Sequence, residues 1–261
     1  MPNRISSSLG EPYPERIKKY WKITKPNVFI GMYDYYDYLS LMRTKGKRYI
    51  YWCGGDILRL NKVKQWILKK FPADHYCDNE IEQKELARWR IKAKIKLTFL
   101  GNPNDYQIFF KANNKIHIYS IVKPKKEKEY SLDIIKKIAK KFPNYIFHIF
   151  GYINVPFPYT GIVYDNIIYE EKISEEKFNE EIKKYHCAFR PNEWDGFSDI
   201  LCKSVLMGQY PISKISYPHI WNYKTEEELV KLFAKLGQMT KPNYQARNWY
   251  LKNLNQFPFL L

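Results

Sequence analysis

From residue 27 onward the chain alternates two kinds of apolar pattern. Short runs rich in Val, Ile, Phe and Tyr occupy residues 28–32, 48–52, 75–77 and 97–100. Between them lie segments whose apolar residues recur every three or four positions, at 35–43, 62–71 and 80–91. The first of these stops at Gly46 and the second at Pro72. The unbroken runs predict buried strands and the periodic ones amphipathic helices. Strands separated by single helices predict right-handed βαβ units and a parallel sheet.

A loop-type composition, GNPNDYQIFFKANN at 101–114, interrupts this series and predicts a domain boundary. A second series follows. Strands are expected at 115–120, 145–150, 167–169, 187–190 and 210–212. Helices are expected at 132–140, 174–184, 200–207, 225–236 and 243–253, with a Pro-rich loop over 152–165. Residues 1–24 are polar and read as an irregular arm ending in an amphipathic piece at 16–21. Ser6, Ser7, Ser8 and Gly10 in that arm form either a phosphate-binding turn or part of a flexible terminus. The division expected is 1–108, 109–240, and a terminal helical segment over 241–261.

Composition narrows the class. The chain has 261 residues, 45% hydrophobic and 17% aromatic, enough for one large or two small cores. It contains no uninterrupted apolar run of transmembrane length and no signal-peptide core near residue 1, so a soluble cytoplasmic protein is expected. Its four cysteines, Cys53, Cys77, Cys187 and Cys202, lack C-x-x-C spacing and read as reduced buried thiols. No His pair has metal spacing, and His75, His117 and His148 fall in strand segments. No metal or cofactor is expected. The net charge of +17, from 44 Lys and Arg against 27 Asp and Glu, implies an anionic partner. The lysines are spread along the chain, which leaves nucleic acid, a phosphorylated substrate and an anionic membrane surface all open.

Three loops carry candidate chemistry. The stretch 190–212, RPNEWDGFSDILCKSVLMGQYPI, runs from a polar loop into the 200–207 helix. Ser198 suits its N-cap and Gly208 its left-handed exit. Backbone N–H groups at such a helix start favour a diphosphate. Arg190, at a strand end, suits phosphate, and Glu193 is a second acidic residue beside Asp195. The turn Cys53-Gly54-Gly55-Asp56 follows the second strand, where ligands of open α/β sheets bind. There Asp56 either faces a ligand or caps the next helix. Finally, SIVKPKKEKEY places Lys123 and Lys128 between a strand and a helix of the second series.

These residues together resemble the retaining GT-B glycosyltransferases of the glycosyltransferase 4, or group 1, type. Asp195, Gly196, Phe197, Gly208 and Ile212 fit that family's acidic-Gly-Phe…Glu-Ala-x-x-x-Gly-x-Pro-Val signature. Trp52 to Asp56 is similar to its Trp-x-Gly-[Ser/Thr/Gly]-Asp loop, and Lys123 and Lys128 match its Arg/Lys-x4-Lys spacing. The resemblance implies an α/β GT-B fold, with two Rossmann-like βαβ domains facing a central cleft, the first reduced. It implies transfer of a hexose from a nucleotide sugar to a hydroxyl acceptor, with retention and without metal. Asp195 and Asp56 would be the catalytic carboxylates. Lys123, Lys128, Arg190, Glu193, Gly196, Phe197, Ser198 and Lys203 would line the donor site, and Gly54 and Gly55 the acceptor side. The acceptor would be a glycan, a lipid-linked sugar or modified nucleic acid, with peripheral contact to an anionic membrane in the lipid case. A terminal helix would cross back onto the first domain. Two departures stand out. Lys203 occupies the position of the family's ribose-binding Glu, and the first domain lacks a Gly-rich first loop. Both leave room for a catalytically silent GT-B-like binding protein.

Overall fold

The computed structural model describes residues 3–9, 13–110, 115–152 and 164–260. The chain divides into two compact units. The first comprises Met1–Pro103, Trp194–Phe197 and Asn253–Leu261, and the second Asn104–Glu193 and Ser198–Lys252. Gly10 and most of the Pro-rich segment, 153–163, lie outside the described residues.

The first unit runs β1 (Arg4–Ile5), α1 (Tyr13–Tyr20), β2 (Val28–Ile30), α2 (Tyr35–Arg43), β3 (Tyr49–Tyr51), α3 (Lys62–Lys70), β4 (Asp74–Cys77), α4 (Glu80–Arg88) and β5 (Ala93–Ile95). The five strands are parallel and lie in the order β1-β2-β3-β4-β5. Short polar side chains start the helices: Asp34 forms a capping box with Asp37, and Asn61 and Asn79 accept from Lys64 and Glu82 N–H. Strand alternation sorts the core into two faces. Phe29, Ile50 and Cys77 pack with Tyr38, Leu41, Ile67, Leu68 and Leu86, from α2, α3 and α4. Val28, Ile30, Tyr49, Tyr51 and Tyr76 pack with Ile17, Trp21, Phe257 and Phe259. From β2 to β5 the strand order advances in one direction with crossovers of one hand, which places α2, α3 and α4 on the same side. The opposite side is covered by α1 and the chain's last residues.

Three details of the first unit differ from expectation. Residues 4–5 form an edge strand on β2, too short to leave a sequence pattern, and the Ser6 hydroxyl donates to Asp37 at 2.6 Å. The fifth strand is Ala93–Ile95, whose lysine-bearing edge pattern hides it, and 97–100 bonds instead to Asn255. The third long helix ends at Arg88, and Arg90 takes a left-handed φ of 61°.

The second unit runs β6 (Ile116–Ile121), α5 (Leu132–Lys141), β7 (Tyr145–Tyr152), β8 (Ile167–Glu171), α6 (Glu175–Glu181), β9 (Cys187–Arg190), α7 (Asp199–Leu206), β10 (Ile212–Ser213), β11 (Trp221–Asn222), α8 (Glu226–Leu236) and α9 (Tyr244–Asn253). Its six parallel strands lie in the order β11-β10-β9-β6-β7-β8. Ile118, Phe147, Phe189, Ile138 and Phe233 form the centre of its core. Gly208 follows α7 at φ 76°, the left-handed exit the sequence predicts. The strand β11, two residues long, has no counterpart in the sequence pattern. The helix α9 belongs to this unit up to Lys252, and the residues after it belong to the first.

No helix among the described residues is long and apolar enough to cross a membrane. The four cysteines are free thiols, three of them buried.

Phe259 is fully buried and stacks on Phe257 at a centroid distance of 4.9 Å, with Tyr49 and Tyr76 against it. Phe259→Ala should lower the unfolding free energy by about 3–5 kcal/mol in a urea titration. A change below about 1 kcal/mol would show that the tail adds little to the sheet.

Candidate functional site

In the second sheet, β6 is flanked by β7 on one side and β9 on the other. The chain therefore leaves β6 and β9 in opposite directions, the switch at whose carboxyl ends ligands of open α/β sheets bind. Lys123 and Lys128 lie in the loop after β6, both exposed. Turn hydrogen bonds set that loop, Lys126 N to Lys123 O and Ser131 N to Lys128 O, each 3.1 Å. Lys125 and Ser131 take left-handed φ values of 65° and 51°. Lys126 is engaged by Glu129 at 2.8 Å. Arg190 ends β9, donates to the Ile121 carbonyl at 3.2 Å, and lies 4.7 Å from the Tyr130 ring centroid. Arg190 thus ends β9 at the switch, and Lys123 and Lys128 lie in the loop that leaves the neighbouring β6.

Other expected donor-site residues of this unit have different surroundings. Glu193 is exposed; burial pushes the Tyr223 hydroxyl up, and the nearby charges of Glu193 and Asp133 add to it. Ser198 stands at the N-cap of α7 but its side chain makes no capping bond, and Asp199 occupies the first turn. Lys203 is buried, its Nζ 3.0 Å from Glu175 and 2.9 Å from Asp199. Its charge is compensated by two carboxylates, the condition on which a buried ammonium is tolerated.

In the first unit, the turn after β3 is built around Asp56. Its Oδ2 accepts from Met32 N at 2.8 Å, and its Oδ1 from Cys53 N and Ile57 N at 3.0 Å each. The carboxyl is fully buried and burial pushes it up to about 6. Of the two readings left open for Asp56, capping is the one these bonds describe: it caps the single turn Ile57–Arg59. Gly54 is buried at φ 80°, and Gly55 is exposed.

The same unit holds the Trp194–Phe197 loop. Asn79 Nδ2 donates to the Asp195 carbonyl at 2.8 Å, and Phe197 N–H donates to Asp78 Oδ2 at 2.9 Å. Tyr51 OH reaches the same Oδ2 at 2.6 Å, and Asp78 N–H donates to Glu82 Oε2 at 2.8 Å. Phe197 N–H, expected free for a phosphate, is therefore committed to Asp78. A Cβ at Gly54 would sit 2.9 Å from Glu82 Oε1 and 3.2 Å from Gly196 N, and one at Gly196 would sit 3.1 Å from Asp78 Oδ2. Both glycines permit this close approach. Glu82 Oε1 is buried without a hydrogen-bond partner among the described residues. Burial raises Asp78 to about 6 and, together with the charge of Asp78, pushes Glu82 well above the usual carboxylate range. Sequence reasoning missed Asp78, Asn79 and Glu82, because C-D-N-E-I-E reads as an ordinary helix cap, which Asn79 also provides.

No family model and no curated protein matches the sequence. Solved structures do match in shape. The lipopolysaccharide outer core galactosyltransferase WaaB superposes with a TM-score of 0.63 at 11% identity, over 93% of this chain and 74% of that one. The sucrose-phosphate synthase of Thermosynechococcus elongatus gives 0.62 at 9% identity, over 93% and 72%. The fold is GT-B. The pneumococcal O-GlcNAc transferase GtfA, solved with UDP and GlcNAc, gives 0.57 at 11% identity; this chain covers 93% of itself but only 56% of that protein. Within this GT-B chain, no cluster of His, Cys, Asp or Glu among the described residues could hold a metal ion.

The buried acids make stability depend on pH. Asp78 ionises near 6 when folded, against about 4 for an unfolded aspartate. The folded state holds the proton more tightly, so this contribution is fully present below about pH 4 and is lost as pH rises through about 6. Asp78→Asn cannot ionise, so its Tm should gain on the wild-type Tm between about pH 4 and about pH 7. A constant difference across that range would show that Asp78 ionises without penalty.

Proposed function

We propose that this chain is a glycosyltransferase that moves a hexose from a nucleotide-sugar donor to a hydroxyl acceptor, with retention and without a metal ion. The observation that carries the reading is the placement of Lys123 and Lys128 in the loop after β6 and of Arg190 at the end of the adjacent β9, where the strand order of the second sheet reverses. The shared fold with WaaB, sucrose-phosphate synthase and GtfA supports it. The donor diphosphate lies against the two lysines. Their charges stabilise it when bound, and stabilise it more as the glycosidic bond breaks and negative charge gathers on the leaving β-phosphate. The sugar stays on one face, the acceptor oxygen attacks from the side the phosphate leaves, and that phosphate accepts the hydroxyl proton. The lysines supply the charge neutralisation that a divalent cation gives elsewhere. A glycan is the acceptor class that fits the reading most simply.

Lys203 favours a second reading. The position where the resembled family holds the ribose carries a cation bound to Glu175 and Asp199. A chain that binds nucleotides without turning sugars over fits that feature.

Assays of donor hydrolysis and transfer with UDP-, GDP- and ADP-sugars separate the two. Lys128→Ala should lower turnover of the accepted donor by about two orders of magnitude or more, and excess EDTA should leave the wild-type rate unchanged. Unaltered turnover in the variant would remove Lys128 from the site. Nucleotide binding without turnover of any donor would favour the silent reading.

A further inference from the structure

We propose that the outer face of α2 and α3 docks the protein onto an anionic lipid surface. Six large apolar side chains stand 42–73% exposed here: Tyr35, Tyr36 and Leu39 on α2, Leu58 on the turn before α3, and Val63 and Trp66 on α3. The two helices pack against each other, and Asn61 at the start of α3 reaches the Tyr35 hydroxyl at 3.4 Å. The inward positions of both helices are already spent on the first sheet: Tyr38, Leu41, Ile67 and Leu68 are buried there. The exposed residues are therefore a second apolar stripe, beyond what the fold uses.

Charge decides the occupant. Arg59, Lys62, Lys69 and Lys70 are exposed around the stripe, with Lys70 Nζ 5.8 Å from the Trp66 ring centroid. From residue 34 to residue 73 the acidic residues are Asp34, the half-buried N-cap of α2, whose oxygens accept from Ser8 and Tyr36, and Asp37 and Asp56, both fully buried. Asp37 is bound by Arg4 and Ser6, and Asp56 by backbone amides. This face presents cations and apolar groups, with Asp34, tied up as a helix cap, at its edge. Basic residues flanking Leu, Val, Tyr and Trp suit the boundary of an anionic bilayer, where rings and aliphatic chains enter the headgroup region and lysines meet lipid phosphates. A second copy of the chain would bring the same positive face against itself, at a net charge of +17 per chain. Leu39, Leu58 and Val63 have no use against a nucleic-acid duplex, which offers phosphates outside and stacked bases within.

Co-sedimentation with vesicles tests the proposal. Docking needs no donor, so vesicle binding and sugar transfer can fail separately. The wild-type protein should sediment with vesicles of equal parts phosphatidylglycerol and phosphatidylcholine, and far less with phosphatidylcholine alone or in high salt. Leu58→Ser with Trp66→Ser, and separately Lys62→Glu with Lys69→Glu and Lys70→Glu, should each weaken binding roughly ten-fold or more. Lys22→Glu with Lys25→Glu and Lys92→Glu makes the same charge change at exposed lysines off this face and should leave binding within about two-fold. These side chains are largely exposed, and Lys69 and Lys70 lie in the last turn of α3, so all three variants should fold with a Tm within several degrees of the wild type. Equal loss in the off-face variant, or unchanged binding in both patch variants, would overturn the proposal. So would absence of vesicle binding, tighter binding of duplex DNA that the patch variants abolish, or a dimer that Trp66→Ser dissociates.

Discussion

The hydrogen bond from Arg190 to the Ile121 carbonyl joins the carboxyl ends of β9 and β6, and the proposed chemistry depends on that junction. All strands of a parallel sheet point their carboxyl ends at one edge. An order that reverses between two neighbours opens that edge to a ligand. The second unit reverses between β6 and β9. Two loops far apart in sequence thereby begin beside one another, and their cations need no further device to share an edge. Tyr130 gives the Arg190 guanidinium an aromatic face, which fixes a planar cation better than it would fix a lysine.

The first unit uses its acidic residues differently. Asp56, Asp78 and Glu82 are all buried, and their raised proton affinities follow from desolvation before any other cause. Asp56 spends its oxygens on backbone amides, the usual way a buried carboxylate is tolerated. Asp78 and Asn79 hold the backbone of the Asp195–Phe197 loop. That loop comes from far along the chain, yet it packs as part of the first unit because these side chains satisfy its polar groups. Gly54 and Gly196 matter for the same reason, since a side chain at either would strike Glu82 or Asp78.

The fold class was legible because buried parallel strands leave continuous apolar runs and the helices between them carry clear caps, such as Asn61 and the Thr225 box before α8. The short edge strands β1 and β11 were not, since two residues make no period. Arg190 was legible as a cation at a strand end, and Lys123 and Lys128 as cations in a strand-to-helix loop. Asp78 and Asn79 were not, because their partners in the 195–197 loop sit more than a hundred residues away, and Glu82 was not, because its approach to Gly54 is a tertiary contact that spacing cannot show. Lys203 looked like a departure from a ligand-binding pattern; the structure adds what a sequence cannot, that Glu175 and Asp199 already compensate it.

Amide hydrogen exchange with and without UDP, GDP and ADP, each added separately, tests most directly whether a diphosphate sits at the junction of β6 and β9. The account predicts slowed exchange in residues 122–131 and 190–193 with at least one of them, with little change along α8. Unchanged exchange in both segments at saturating concentrations of all three, or protection confined to the first unit, would contradict it.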